Sequence, residues 1–225
     1  MIVFDLDDTL YQEREYVHSA FSAVVREANR LFPGIDLNVD ETVRAMMTPG
    51  GMRAFDFLSR ILGPQACVMG LDIDRMVDIY RHHPAPAIKP GPTVVETLQA
   101  LTDRGERLGL ITDGSSRTQR SKLNALGLEK FFAPEAIIIS GETGYDKYSP
   151  RPFEILRGRF PDERRWTYIG DNPAKDFLHP NLNGWTTIML SAPREGHGNV
   201  FGQDLDAYAP ENRPSRVIFR LHDIL

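Results

Sequence analysis

"IVFDLDDTL", residues 2–10, runs an apolar stretch straight into three carboxylates, Asp5, Asp7 and Asp8. Three apolar residues followed by a charge cluster read as a short buried strand, residues 2–6, that ends in a polar loop. Like charges this close repel unless a cation or a ligand compensates them. The reading of this stretch decides the fold, because it asks what the other strand ends bring to the same place.

From residue 93 onward, strand-like and helix-like segments alternate. Strands are expected at 107–112, 136–140, 166–170, 185–190 and 216–221, with helices at 93–105, 116–127, 150–160 and 172–184. Such alternation argues for a parallel sheet with helices on both faces, and right-handed crossovers put every strand's carboxyl end on one edge. Between residues 12 and 83 the periodicity is helical instead. Helices are expected at 13–32, 40–47, 51–62 and 72–83, with Asp40 and Asp72 as N-caps. "PAPAIKPGP", residues 84–92, reads as the linker back into the sheet. The expected architecture is thus α/β: a Rossmann-like parallel sheet, residues 1–11 and 88–225, with an all-helical insertion at 12–87 above the edge where the first strand ends.

Ligands of open α/β sheets bind outside the strand carboxyl ends. There the first strand delivers Asp5, Asp7 and Asp8, and "LITDGSS" delivers Thr112, Asp113, Gly114 and Ser115. "GYDKYSPRP" carries Lys147, and "YIGDNPAKD" carries Asp171, Asn172 and Asp176. Singly, these are ordinary turns, caps and solvated charges. Together they place carboxylates from two strands beside each other, which calls for a cation. Oxygen-only ligands favour a hard ion, Mg2+ first. A hydroxyl at Thr112, backbone amides near Gly114 and an ammonium at Lys147 suit a phosphate. An Asp close to both is a candidate nucleophile.

"DLDDTL" (5–10), "LITDGS" (110–115), "GYDKYSPRPF" (144–153) and "YIGDNPAKDF" (168–177) resemble, in order, the four motifs of the haloacid dehalogenase-like hydrolase superfamily. The insertion is similar in position to that family's C1 cap. The resemblance implies an aspartyl-phosphate nucleophile at Asp5 and a general acid/base at Asp7. It implies Mg2+ held by the Asp5 carboxylate, the Asp7 carbonyl and Asp171, with Asp176 as a direct or water-mediated partner. Thr112 would bind the phosphoryl oxygen, and Lys147 would neutralise phosphate and nucleophile. Asp8 falls at a variable position and is given a local hydrogen-bonding role. Tyr148 stands where the family often has proline, which leaves Lys175 as a second choice for the lysine, although its side chain is expected to face outward. A raised Asp7 pKa is expected, with the neighbouring carboxylates as its cause.

The activity implied is a Mg2+-dependent phosphatase on a small phosphorylated metabolite of the nucleotide or sugar phosphate class. A phosphomutase, a haloacid dehalogenase, a receiver-like phospho-acceptor and an inactive binding protein are the alternatives. In "MTPGGMRAF" (47–55), Gly50, Gly51 and Arg53 are the candidate specificity residues of the insertion. The net charge of −5 gives no global basic field for nucleic acid. No run reaches the length of a membrane span, and no export signal is visible. The single cysteine, Cys67, fits a reducing cytoplasm. Oligomeric state is not readable from these residues.

Overall fold

The computed structural model describes residues 1–47, 53–83, 87–191 and 204–225. Its chain divides into two compact units, Met1–Gln12 with Lys89–Leu225, and Glu13–Ile88.

The first unit is built on a six-stranded parallel sheet. Its strands are β1 (Ile2–Phe4), β2 (Leu108–Thr112), β3 (Ile137–Ile139), β4 (Thr167–Gly170), β5 (Thr186–Leu190) and β6 (Arg216–Ile218), ordered β3-β2-β1-β4-β5-β6. This is a Rossmann-like order, with its topological switch point between β1 and β4. The register pairs Phe4 with Leu110 on one side and with Ile169 on the other. Asp5, one residue past β1, is therefore flanked by the ends of β2 and β4. β2 and β3 are buried along their length, and their near-continuous apolar runs, "LGLIT" and "III", are what a sheet covered on both faces requires.

The second unit is helical. It holds α1 (Glu13–Leu31), α2 (Val39–Met47), α3 (Ala54–Leu62), α4 (Gln65–Val68) and α5 (Ile73–His82). It has an apolar core of its own, formed by Val24, Val25, Leu58, Leu62, Leu71 and Met76 among others. Asp72 caps α5 by accepting from the Arg75 amide. The expected cap at Asp40 is corrected: α2 starts one residue earlier, and Asn38 Oδ1 accepts from the Glu41 amide at 3.0 Å. Gly50 and Gly51 lie outside the described residues, as do residues 192–203. Arg53 is exposed, at the N-cap position of α3. In the first unit, the amide of Gly91 donates to the Leu10 carbonyl at 2.9 Å, so the chain leaves and re-enters the sheet unit at neighbouring points.

The remaining helices of the sheet unit are α6 (Val94–Asp103), α7 (Ser116–Leu126), α8 (Ser140–Thr143), α9 (Arg151–Arg159) and α10 (Leu178–Leu182). The helix expected over 172–184 shrinks to α10. Residues 171–177 instead form a turn around the Asp176 carboxylate, which accepts from the amides of Asp171 and Asn172. Among the described residues no helix is long and apolar enough to cross a membrane.

Candidate active site

Three strands converge on one point. β1 ends at Phe4 with Asp5 next in the chain, β2 ends at Thr112, and β4 ends at Gly170 with Asp171 next in the chain. One carboxylate oxygen from each of Asp5, Asp171 and Asp176 lies within 4.8 Å of the others, and all three residues are buried. Lys147 enters from the segment after β3 and α8. Its Nζ sits 2.8 Å from Asp5 Oδ1 and 2.6 Å from Asp176 Oδ1, with its side chain fully buried. Lys147 therefore occupies the ammonium position, with Tyr148 following it in the chain.

Three carboxylates surround one ammonium, so the cluster is net anionic. Burial, reinforced by the charges of Asp176, Asp171 and Asp7, pushes the Asp5 carboxyl well above the usual range, while Lys147 pulls the other way. Burial also disfavours the Lys147 charge, but Asp176 and Asp5 outweigh it and hold the ammonium's pKa well up. A buried anionic cluster of this kind could hold a cation.

The donor set fits a hard divalent ion at Asp5 and Asp171. Asp176 completes the acidic triad with them and also braces the turn: its Oδ1 accepts from Lys147, and its Oδ2 accepts from the amides of Asp171 and Asn172 at 3.1 and 2.8 Å. Asn172 contributes through that amide, while its side chain accepts from the Ala174 amide. Gly170 makes the arrangement possible, because a Cβ there would lie 2.5 Å from Asp176 Oδ2.

Asp7 has a different environment from the one expected. Its Oδ1 is 2.7 Å from Lys122 Nζ and accepts from the Tyr11 hydroxyl, and its Oδ2 accepts from Gln119 Nε2 at 2.9 Å. Burial raises the Asp7 pKa, but the Lys122 charge and the bonds from Lys122, Tyr11 and Gln119 outweigh it and hold the carboxyl below its ordinary value. The expected upward shift is thus corrected, because a buried cation on α7, with the bonds from Tyr11 and Gln119, outweighs the effect of burial.

Asp113, expected near the phosphate through its backbone amide, braces the lysine segment with its side chain. Its Oδ1 accepts from the Lys147 amide at 3.1 Å, and its Oδ2 lies 3.6 Å from Lys175 Nζ. Lys175 consequently turns toward Asp113, which corrects its expected outward orientation. Gly114 adopts φ +142°, and its amide donates to the Ser140 hydroxyl at 2.8 Å. Asp8 holds φ +57°, a left-handed conformation that Asp tolerates better than most residues.

Gln119 and Lys122 are the site residues that motif reading missed. Their signal was faint: Gln119 and Lys122 stand three apart on α7, on the same face as buried Leu123 and Leu126.

Comparison with known proteins fits this geometry. The family model described as haloacid dehalogenase-like hydrolase matches residues 2–188. The chain belongs to that family. This hydrolase is 30% identical over 235 residues to a protein of Methanopyrus kandleri named glyceraldehyde 3-phosphate phosphatase, covering 100% of this chain and 94% of that one. It is 26% identical over 230 residues to pyrophosphatase PpaX of Bacillus pumilus, with the same coverage, 100% and 94%. Its fold is similar to that of a 2-haloacid dehalogenase from Pseudomonas syringae pv. Tomato, with a TM-score of 0.61, 21% identity, and coverage of 99% of this chain and 95% of that one.

Proposed function

We propose that this hydrolase is a phosphatase acting on a small phosphorylated metabolite through an aspartyl-phosphate at Asp5. The observation that carries the reading is the buried Lys147, bonded to both Asp5 and Asp176 beside Asp171. Relatives named as phosphatases support it, and among them the glyceraldehyde 3-phosphate phosphatase favours a short sugar phosphate within the nucleotide and sugar phosphate classes.

In this reading Asp5 and Asp171, with the Asp7 carbonyl, would hold Mg2+, which when bound neutralises phosphoryl oxygens and the nucleophile together. Lys147 orients the Asp5 carboxylate and adds positive charge facing the phosphate. The hydroxyl of Thr112 lines the phosphate position, whereas the Gly114 amide, expected there, is engaged by the Ser140 hydroxyl instead. Asp5 Oδ attacks phosphorus while the bond to the leaving oxygen breaks, and a proton from Asp7 goes to that oxygen. Water then attacks phosphorus, Asp7 takes its proton, and the Asp5–phosphorus bond breaks to release phosphate. The incoming phosphate dianion opposes Lys122 at Asp7 and so favours the protonated acid that the first step needs.

The full donor set around Asp7 favours a phosphatase over a dehalogenase, whose carbon–halogen cleavage needs no acid at that position. The helical unit is the cap of this reading, and selectivity would reside there, at Arg53 and the Gly50–Gly51 segment. A reducing cytoplasm is the setting that goes with it.

The test is a screen of purified protein against sugar phosphates, nucleotides and small phospho-acids with Mg2+. Asp5→Asn should abolish turnover while leaving the circular dichroism spectrum unchanged, and EDTA should silence the enzyme reversibly. Full activity of Asp5→Asn, or metal-independent release of halide from a haloacid, would overturn the reading.

A further inference from the structure

The inner face of α7 presents two buried polar side chains to the site. Gln119 is 1% exposed and Lys122 is 4% exposed. A buried lysine in a helix costs desolvation that an apolar residue would avoid, so its partner identifies its use. That partner is Asp7.

The bonding pattern fixes Asp7 in rotation as well as in place. Oδ1 takes Lys122 and Tyr11, and Oδ2 takes Gln119, so the carboxylate plane has donors on both oxygens. Lys122 Nζ also lies 5.9 Å from the centre of the Tyr11 ring, which holds the ammonium from a second side. Gln119 does more. The same Nε2 donates to Thr112 Oγ1 at 2.6 Å and to Asp7 Oδ2 at 2.9 Å, linking the ends of β1 and β2 through one side chain. A Thr hydroxyl whose oxygen accepts from Gln119 keeps its own proton for another acceptor, and the phosphoryl oxygen is that acceptor in the phosphatase reading. The backbone is shaped for this arrangement: a Cβ on Gly114 would stand 2.9 Å from the Gln119 amide, at a φ that disfavours any other residue.

We propose that Gln119 and Lys122 are positioning residues for phosphoryl transfer. Lys122 sets the direction of the Asp7 carboxylate, and Gln119 couples Asp7 to the Thr112 hydroxyl. The inference rests on the phosphatase reading above.

Two substrates with different leaving groups test it, p-nitrophenyl phosphate and glycerol phosphate, each with Mg2+. An alkoxide leaving group needs the proton from Asp7, whereas nitrophenolate leaves without one. Lys122→Met should lower kcat/KM, which reports the step that expels the leaving group, by about 100-fold on glycerol phosphate, the scale of one misplaced acid/base, and by less than about 10-fold on p-nitrophenyl phosphate. Lys122→Arg should recover most of the loss. Gln119→Leu should lower kcat and also raise KM on both substrates, because Thr112 loses its orientation.

Equal losses of Lys122→Met on the two substrates, in proportion to a lowered melting temperature, would assign Lys122 a packing role and overturn the proposal. So would wild-type kinetics in both variants. Asp5→Asn separates the two levels of inference. If wild-type protein hydrolyses neither phosphate, or Asp5→Asn retains full activity, the phosphatase reading fails. If wild type is active, Asp5→Asn is silent and Lys122→Met behaves as wild type, the positioning role alone fails.

Discussion

Gly170 precedes the Asp171 carboxylate, and its missing side chain is what lets Asp176 fold back against the strand end. A Cβ there would meet Asp176 Oδ2 at 2.5 Å and its Cγ at 2.7 Å. That carboxylate cannot swing aside cheaply, since it is tied to Lys147 and to two backbone amides. Gly170→Ala should therefore cost about 1–3 kcal/mol, as overpacking does, and should also remove activity by displacing Lys147. Urea denaturation together with steady-state kinetics checks this, and an unshifted midpoint with normal turnover contradicts it. Asp5, Thr112 and Asp171 were legible in the sequence because residue type and position after a strand carry the same message. Lys122 and Gln119 were not, because polar residues on a helix ordinarily face water, and only the fold turns these two inward, onto Asp7 and Thr112. Asp7 was found by its motif, yet its pKa direction was misjudged, because the compensating cation lay 115 residues away in the chain.

At the scale of elements, strand existence was readable from apolar runs, and the ends of helices were governed by caps that compete at neighbouring positions. Asn38 took the cap of α2 from Asp40, and Asn38→Ala should lower stability by about 1 kcal/mol, measured by thermal or urea melts. The helix expected over 172–184 failed for a physical reason: the Asp171 and Asn172 amides bond to a side chain, so the turn around Asp176 replaces the first helical turns. The end of α5 carries a pH dependence of its own. Buried His83 lies at its C-cap, with Nδ1 3.0 Å from the Tyr80 carbonyl and Nε2 3.1 Å from Ser19 Oγ, which in turn accepts from the Ala87 amide. This chain of bonds is complete with a neutral ring. Burial lowers the His83 pKa below its ordinary value, opposed by the Tyr80 carbonyl. The unfolded chain then takes up the proton first as pH falls through about 6.5, so the helical unit loses stability from there down to the lowered native value and is unaffected above it. Thermal melts at about pH 7.5 and about pH 5 should show a larger drop for wild type than for His83→Gln; equal drops would remove His83 from the account.

The whole molecule comprises two units with separate apolar cores, one around Phe153, Tyr168 and Trp185 and the other around Val25, Leu58 and Met76. The two-unit division leaves single-transition unfolding an assumption rather than a rule. The candidate metal ligands, Asp5 and Asp171, both belong to the sheet unit. A cation that binds the native cluster but not the unfolded chain stabilises by mass action, about 2.7 kcal/mol at a hundredfold excess over Kd. Mg2+ should therefore raise the melting of the sheet unit, whereas acidification below about pH 6.5 should lower that of the helical unit through His83. Calorimetry with and without Mg2+ at about pH 7.5 and about pH 5 tests the separation. The component that belongs to the sheet unit should move with metal in wild type and stay fixed in Asp171→Asn, since that variant removes one of the carboxylates that make the site anionic. If Mg2+ moves the melting of Asp171→Asn as far as that of wild type, the ion binds elsewhere, and the cluster at the ends of β1 and β4 is held together by Lys147 alone.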